Sequence, residues 1–281
     1  MSGRPALIAA LALALSCAAA SSAAAAAYDD FARGQSANQQ GLYADAITAF
    51  TAALEEGGLN PSFLPIAYQG RARAYLATGL CAPAFADLTA ALKLKPDDGT
   101  LLMMHAQTAL CLDKSDAVRT DLAALPPPGS PNEMHLRGRL LFDIGDYEGA
   151  QRQFAAFLER QTERAVYGAL WLEVSRLRAG TLDPAVAAKD AAAFTASDWP
   201  VPLLALYAGN AKPEDVAAAA LRGPDSSAQG RQCEADYYAA EWWLGHGDAA
   251  TARPLFQRAA DKCPRNFLEF GQAQLELRRL K

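Results

Sequence analysis

Small and large apolar residues recur along this chain in a fixed order. In four segments a glycine is followed by alanine five residues later and by phenylalanine or leucine nine residues later. The segments are GLYADAITAFTAAL from Gly41, GLCAPAFADLTAALKLKP from Gly79, GDYEGAQRQFAAFL from Gly145 and GDAATARPLFQRAADKCP from Gly247. Seven residues before each glycine lies another small residue, namely Gly34, Ala72, Gly138 or Ala240. The pattern predicts a helical hairpin, because glycine permits a tight turn and small residues let two helices approach closely.

The distances between these segments indicate a longer period. Gly79 and Gly145 are 66 residues apart, and Gly145 and Gly247 are 102 residues apart. Both distances are multiples of about 33 to 34 residues, a period typical of helical repeat arrays. An alanine-rich helical bundle with coincidental spacing is the alternative interpretation.

This period and pattern resemble the tetratricopeptide repeat, whose unit is a pair of antiparallel helices. The resemblance implies an all-α fold, a tetratricopeptide-repeat superhelix (an α-solenoid of antiparallel helix pairs) with a C-terminal capping helix. The repeats are predicted at 27–60, 65–98, 99–130, 131–164, 165–198, 199–232 and 233–266, followed by the cap RNFLEFGQAQLELRRL. The predicted organisation is a leader at 1–27, an N-terminal array at 28–130 and a C-terminal array at 131–281.

Three predicted repeats depart from the pattern. The third ends in PPPGSP, which predicts a loop, and the fifth and sixth are degenerate. Within the sixth, KPEDVAAAALRG still predicts a helix that begins at Pro213 and stops at Gly223.

The first residues, MSGRPALIAALALALSCAAASSAAAAAY, have the pattern of an export signal. Arg4 supplies the positive charge, an apolar core follows, and small residues allow cleavage after Ala27. A transmembrane anchor and lipid attachment at Cys17 are the alternatives. We therefore expect a periplasmic or secreted protein, anchored to the outer membrane only if Cys17 is lipidated.

Charge excludes one class of partner. The chain has 281 residues, and beyond residue 27 its 25 Lys and Arg are outnumbered by 31 Asp and Glu. Nucleic-acid binding requires a concentrated basic face, which this balance does not favour. We expect no nucleic-acid partner.

The cysteines beyond the leader form two pairs with equal spacing. Cys81 and Cys111 are 30 residues apart, and so are Cys233 and Cys263. In antiparallel helices, residues symmetric about the turn lie at the same open end, so we predict disulfides within both pairs. Each would stabilise the fold by about 3–4 kcal/mol in the chain-entropy model. Four buried thiols are the alternative, whereas a zinc site is disfavoured by the absence of a CxxC pair.

The sequence offers no recognisable catalytic motif. It contains no G-x-S-x-G elbow, no phosphate-binding glycine loop and no HExxH pair. His105 falls at a repeat junction and is interpreted as structural, and Trp243 in EWWLG as part of the core. We predict a protein that is not an enzyme and uses no cofactor or metal. A peptidoglycan-fragment or small-ligand site at Tyr237, Tyr238 and Trp242 is the second hypothesis.

The tetratricopeptide pattern implies which side chains face a partner. These partner-binding candidates are Phe31, Gln35, Asn38, Gln69, Arg73, Met103, Gln107, His135 and Arg139. Their amides and arginines suit an extended peptide held by its backbone and carboxylates. The Lys and Asn pattern of the family's carboxylate clamp is not reproduced.

A narrower resemblance covers the C-terminal half. ALWLEVSRLRAGTLDPAVAAKDAAAF, LLALYAGNAKPEDVAAAAL and DYYAAEWWLGHGDAATARPLFQRAADKCPRNFLEF are similar to NlpI-type tetratricopeptide lipoproteins. The resemblance implies a dimeric adaptor of the outer membrane that binds peptidoglycan hydrolases and presents them to a periplasmic protease. Envelope proteins or extended peptides are therefore the expected partners.

Overall fold

The computed structural model describes residues 23–160, 165–194 and 199–280. The chain divides between Pro127 and Pro128 into two compact units. In unit 1 the helices are α1 (residues 23–39), α2 (Tyr43–Glu55), α3 (Leu64–Ala77), α4 (Cys81–Leu94), α5 (Gly99–Cys111) and α6 (Ser115–Ala124). In unit 2 they are α7 (Pro131–Asp143), α8 (Tyr147–Arg160), α9 (Ala165–Arg178), α10 (Pro184–Ala191), α11 (Val201–Tyr207), α12 (Pro213–Ala220), α13 (Ala228–Gly245), α14 (Ala249–Lys262) and α15 (Leu268–Arg279).

Each predicted repeat contains one pair of these helices, from α1 and α2 in the first to α13 and α14 in the seventh. The helix α15 follows the last pair, where a cap was predicted. Within each unit successive helices pack on one another, and in unit 2 the first helices α7, α9 and α13 also contact each other in sequence. The described residues contain no strand. The predicted all-α repeat fold is confirmed.

The four signature glycines make the predicted turns. Gly41, Gly79, Gly145 and Gly247 have φ of 73°, 78°, 78° and 83°. This left-handed conformation is available to glycine at low cost, and a residue with a side chain would be strained there. Each glycine therefore ends the first helix and reverses the chain.

The small residues and the large apolar residues of the pattern are packing partners. A Cβ atom added to Gly34 would lie 2.9 Å from the Phe50 ring, and one added to Gly138 would lie 2.9 Å from the Phe154 ring. Both rings are almost completely buried. Since the glycines have no side chain, the two helices of each hairpin approach closely enough for the ring to fill the seam.

The degenerate repeats form shorter helices. The helices α10, α11 and α12 have 8, 7 and 8 residues. The helix α12 begins at Pro213 as predicted, and Gly223 follows its end with φ of 101°. The neighbouring first helices, α9 and α13, are buried on several sides, and Trp171, Tyr237 and Tyr238 lie in the main core.

Both predicted disulfides are confirmed. Cys81–Cys111 links the first residue of α4 to the last residue of α5, with a Cα–Cα distance of 6.2 Å. Cys233–Cys263 joins α13 to the residue after α14 at 4.9 Å. These distances fall in the range that a disulfide spans without backbone movement. The seventh repeat was predicted to begin at residue 233, but its first helix, α13, begins at Ala228, five residues before Cys233.

The predicted leader lies mostly outside the described residues. Arg4 and Cys17 belong to residues 1–22, so lipid attachment stays a prediction. Residues 23–27 form the first described part of α1, and Ala27 is completely buried. Cleavage after Ala27 stays a prediction and would remove these residues from the helix. Among the described helices, none is long and apolar enough to cross a membrane.

The Gly138–Phe154 contact gives the first test. We expect Gly138→Val to lower the free energy of unfolding by about 1–3 kcal/mol, because overpacking a filled core forces side chains away from their preferred geometry. Chemical denaturation of the full chain measures the change. Gly271→Ala is the matched control, since a Cβ atom there meets nothing within 4 Å. It should stabilise α15 by about 0.5–1 kcal/mol, and equal destabilisation by both variants would contradict the proposed seam.

The disulfides give the second test. Removing either bridge, by Cys81→Ala/Cys111→Ala or Cys233→Ala/Cys263→Ala, should lower the free energy of unfolding by about 2–4 kcal/mol. The measurement is urea unfolding with and without a reducing agent. Reduction should lower the free energy of unfolding of the parent protein. It should leave that of a variant lacking both bridges unchanged. A parent protein that is insensitive to reduction would contradict a stabilising role.

Candidate functional site

Phe31, one of the predicted partner-facing residues of unit 1, belongs to the core. Its side chain is 6% exposed. Its ring lies 6.0 Å from the Phe50 ring and 5.5 Å from the Phe63 ring. A partner could not reach it, so the structure removes Phe31 from the binding surface. The reason is the loop before α3, whose Phe63 covers α1.

Two predicted amides serve structural contacts instead. Asn38 donates a hydrogen bond of 2.8 Å to the carbonyl of Gly70, which ties α1 to α3. Gln69 donates to the sulfur of Met104 at 3.4 Å, which ties α3 to α5. Both side chains therefore hold consecutive first helices together, although the buried Oδ1 atom of Asn38 has no hydrogen-bond partner among the described residues.

The other candidates of unit 1 remain accessible. Gln35, Arg73 and Gln107 are exposed, and Met103 is half-buried. They lie on α1, α3 and α5, the first helices of their pairs. These side chains therefore form an accessible surface on the first helices of unit 1.

Unit 2 contains a cavity of about 260 Å³. Its walls come mainly from first helices, with His135 on α7 and both Tyr167 and Trp171 on α9. The helix α8 contributes Phe157, and Phe267 lies immediately before α15. The cavity therefore opens on the side of unit 2 where the first helices adjoin.

The predicted residues His135 and Arg139 lie at or behind this cavity. The His135 ring is 5.5 Å from the Phe154 ring and 5.4 Å from the Phe157 ring. The Arg139 guanidinium carbon lies 5.5 Å from the centre of the Trp171 ring, and its positive charge also acts on Asp143 and Glu269. His135 lines the cavity, whereas Arg139 is engaged inside the unit.

Two buried carboxylates complete the lining. Glu234 on α13 and Glu269 on α15 are 6% and 4% exposed. Glu234 accepts hydrogen bonds from the hydroxyl of Tyr167, at 3.0 Å, and from the indole nitrogen of Trp199. Glu269 accepts one from the hydroxyl of Tyr238 at 3.4 Å. The donors to both carboxylates in these contacts are neutral.

Burial changes the protonation of these groups. It raises the pKa of Glu234 to about 7, and the nearby charge of Glu269 acts in the same direction. Burial also raises the pKa of Glu269, against the opposing charge of Arg139. Loss of hydration disfavours the charged form of a carboxyl group. Glu234 therefore changes charge near neutral pH.

The carboxylates were missed by the sequence analysis, although a signal exists. Glu234 and Glu241 are seven residues apart on α13, and Glu269 and Glu276 are seven apart on α15. Seven residues are two helical turns, so each pair shares a helix face. The same faces carry other buried residues, such as Tyr238 on α13 and Gln272 and Ala273 on α15, so acids at these positions indicate a polar site inside the array.

The acids farther from the cavity, Glu241 and Glu276, help to hold three helices together. Arg178 of α9 contacts Glu241 at 2.8 Å and Glu276 at 3.2 Å, and it donates to the hydroxyl of Tyr147 at 2.8 Å. The ion pairs join α9, α13 and α15, the helices that carry Tyr167, Glu234 and Glu269. Breaking one partner of a buried ion pair is strongly destabilising. Arg178 thus positions the cavity walls.

The small-ligand site proposed at Tyr237, Tyr238 and Trp242 is not supported. Tyr237 and Tyr238 are completely buried in the core. Trp242 is half-buried, as is Trp243, and their ring centres are 4.9 Å apart. An accessible aromatic platform would require the two tyrosines at the surface, so this part of the second hypothesis is wrong.

A Thr–His–Asp arrangement lies in unit 1. The Nδ1 atom of His105 is 2.6 Å from Asp121, and its Nε2 atom is 3.0 Å from the hydroxyl of Thr89. Thr89 donates this hydroxyl to the carbonyl of Phe85 at 2.7 Å. The Thr89 oxygen thus lies between the Phe85 carbonyl and the His105 ring. The arrangement joins α4, α5 and α6, consistent with the structural role predicted for His105.

A second concavity lies between α12 and α14, above α13. Its volume is about 700 Å³, and alanines such as Ala217, Ala220 and Ala235 line it. The polar residues Arg258 and Asp236 pair with each other at 2.6 Å. Leu221, which is 67% exposed, lies at its edge. In the described residues no cluster of three His, Cys, Asp or Glu could hold a metal ion.

Comparison with known proteins supports the fold. The chain matches no protein-family model and no curated protein. It is similar in structure to a tetratricopeptide repeat protein from Parabacteroides merdae, with a TM-score of 0.60 and 16% identity over 89% of this chain and 98% of that chain. Another similar structure is the TPR domain of P58(IPK), with a TM-score of 0.36 and 13% identity over 90% of this chain and 79% of that chain. The first likeness shows that the fold is that of a tetratricopeptide repeat protein.

The raised pKa of Glu234 generates a test of the site. Between pH 4.5, the ordinary pKa of a glutamate, and about pH 7, the folded state binds a proton on Glu234 more strongly than the unfolded state does. This proton adds about 3 kcal/mol to the free energy of unfolding for a shift of this size. The contribution is complete below pH 4.5 and is lost as the pH rises to about 7. We therefore expect the free energy of unfolding to fall from pH 5 to pH 7.5. Glu234→Gln should reduce this decrease.

The control substitution is Glu148→Gln, at an exposed position of α8. It should leave the slope of stability against pH as it is in the parent protein. Urea unfolding at several pH values measures all three proteins. A stability that rises between pH 5 and pH 7.5, or a slope unaffected by Glu234→Gln, would contradict a buried and desolvated Glu234.

Proposed function

We propose that the protein is an exported, non-catalytic scaffold of the cell envelope that binds an extended segment of a partner protein. Helical repeat arrays bind partners on the surface formed by their first helices. In unit 2 the cavity lies on this side, with His135, Tyr167 and Trp171 in its wall. This cavity is the observation that carries the proposal. The accessible side chains of unit 1, Arg73 among them, would contact a partner within their own unit.

The compartment is part of the proposal. The leader has an export pattern, and two disulfides are compatible with an oxidising environment such as the periplasm or the exterior. The resemblance of the C-terminal half to NlpI-type proteins favours an adaptor that brings peptidoglycan hydrolases to a protease and that acts as a homodimer. Membrane attachment would follow from lipidation of Cys17.

A peptidoglycan fragment or another small ligand is the second candidate. Its proposed location moves from the buried Tyr237 and Tyr238 to the cavity in unit 2. The aromatic wall favours it, because aromatic surfaces with a few polar groups are typical of small-molecule sites.

Selection from a library of displayed ten-residue peptides tests the scaffold function. We expect the purified protein to select binders that protect α7, α9 and the start of α15 from hydrogen exchange. Leu268→Arg, at a cavity residue that is 43% exposed, should weaken these binders at least about tenfold, a change of about 1.4 kcal/mol. The affinities are measured by fluorescence anisotropy.

Leu221→Arg is the matched control, because Leu221 is also exposed but lies at the second concavity. It should leave the affinities unchanged. Protection of the cavity by muropeptides and by no displayed peptide would favour the small-ligand function. If neither kind of molecule protects these helices, the cavity is not the binding site.

A further inference from the structure

We infer that the cavity of unit 2 receives a lysine or arginine side chain from the bound segment, with Glu234 as its counter-charge. This inference rests on the proposed function and identifies the chemistry of the same site. Aromatic rings and a carboxylate around one small space are the arrangement that binds organic cations. The half-buried Tyr167 and Phe267 supply the rings, and Glu234 supplies the buried negative group.

The distribution of charge around the cavity favours a cationic guest. Arg139 already provides a positive charge that acts on Glu269. Glu234 has neutral partners, the hydroxyl of Tyr167 and the indole of Trp199. Among the residues that the structure describes, the ion pairs of unit 2 do not include Glu234. Glu234 is therefore the carboxylate for which a bound cation would be the first charged partner.

Other guests fit the cavity less well. A carboxylate would approach Glu234 and Glu269 and would be repelled by both. An apolar side chain would remove the remaining water from Glu234 without replacing its interactions, which costs free energy. Lysine and arginine combine an apolar stem, which can pack on the rings, with a terminal charge that can reach the carboxylate.

The size of the cavity indicates one side chain. Its volume of about 260 Å³ is below the range of about 300–1,000 Å³ typical of sites for drug-sized molecules. Asn132, Asn266 and Leu268 line the cavity and are exposed. They mark its mouth, where the backbone of an extended segment would lie. The guest would enter from this mouth toward Glu234.

The protonation of the empty site agrees with this interpretation. Burial raises the pKa of the Glu234 carboxyl to about 7, so without a guest Glu234 gains or loses its proton near neutral pH. A cationic guest would favour the charged carboxylate and displace this proton. The geometry of the cavity and the charges around it thus both favour a cationic guest.

Four fluorescein-labelled ten-residue peptides test the inference. They share one alanine–serine host sequence and carry Lys, Arg, Gln or Glu at the central position. Fluorescence anisotropy with the full chain should show the Lys and Arg peptides binding at least about tenfold more tightly than the Gln peptide. The Glu peptide should bind most weakly. Glu234→Gln should abolish the preference, and Glu234→Asp, which keeps the charge, should retain part of it.

Asp236→Asn is the matched control, since it removes the same charge from the same helix beside Arg258. It should leave the preference for Lys and Arg unchanged. Hydrogen exchange of α9 and α15 with each bound peptide separates the two proposals. Protection of the cavity by all four peptides with equal affinities would overturn the cationic guest and leave the binding site in place. If none of the peptides protects these helices, including the peptides selected from the library, both the cationic guest and the proposed binding site are overturned.

Discussion

The close approach of two helices at a small residue is the contact on which this fold depends. Phe50 and Phe154 fill the space above Gly34 and Gly138, where even a Cβ atom would be 2.9 Å from the ring. In the other two hairpins alanines face the seam, and Ala72 and Ala240 are completely buried. Since each ring occupies the volume that a side chain would need, the contact specifies both the distance and the register of a hairpin.

The hairpin of α13 and α14 is secured at both ends by different means. Glycines with positive φ reverse the chain at the turn, as at Gly247. At the open end of the same hairpin, Cys233–Cys263 prevents α13 and α14 from separating. The bridge Cys81–Cys111 differs, because it joins the second helix of one repeat to the first helix of the next. One disulfide thus strengthens a repeat, and the other strengthens the junction between repeats.

The short helices of unit 2 change the environment of α9 and α13. These first helices are surrounded by several neighbours, and Glu173, Glu234 and Glu241 are buried along them. Buried charges cost hydration free energy unless they find partners. Arg178 offsets this cost for Glu241 and Glu276. The donors to Glu234 among the described residues, Tyr167 and Trp199, are neutral, and Glu234 lies at the cavity. The degenerate region also supplies Trp199, one of the donors to Glu234.

The sequence by itself determined the helix pairs, the turns at the signature glycines and both disulfides. These features depend on local spacing, because residues at a fixed interval share a helix face and symmetric positions meet in an antiparallel hairpin. Only the tertiary structure decided which helix faces are buried by neighbouring segments. Phe31 occupies a partner-facing position of its repeat, yet Phe63 buries it, and Arg139 turns to Trp171. The cavity joins residues as far as 134 positions apart, from His135 to Glu269, and such long-range contacts leave no period in the sequence.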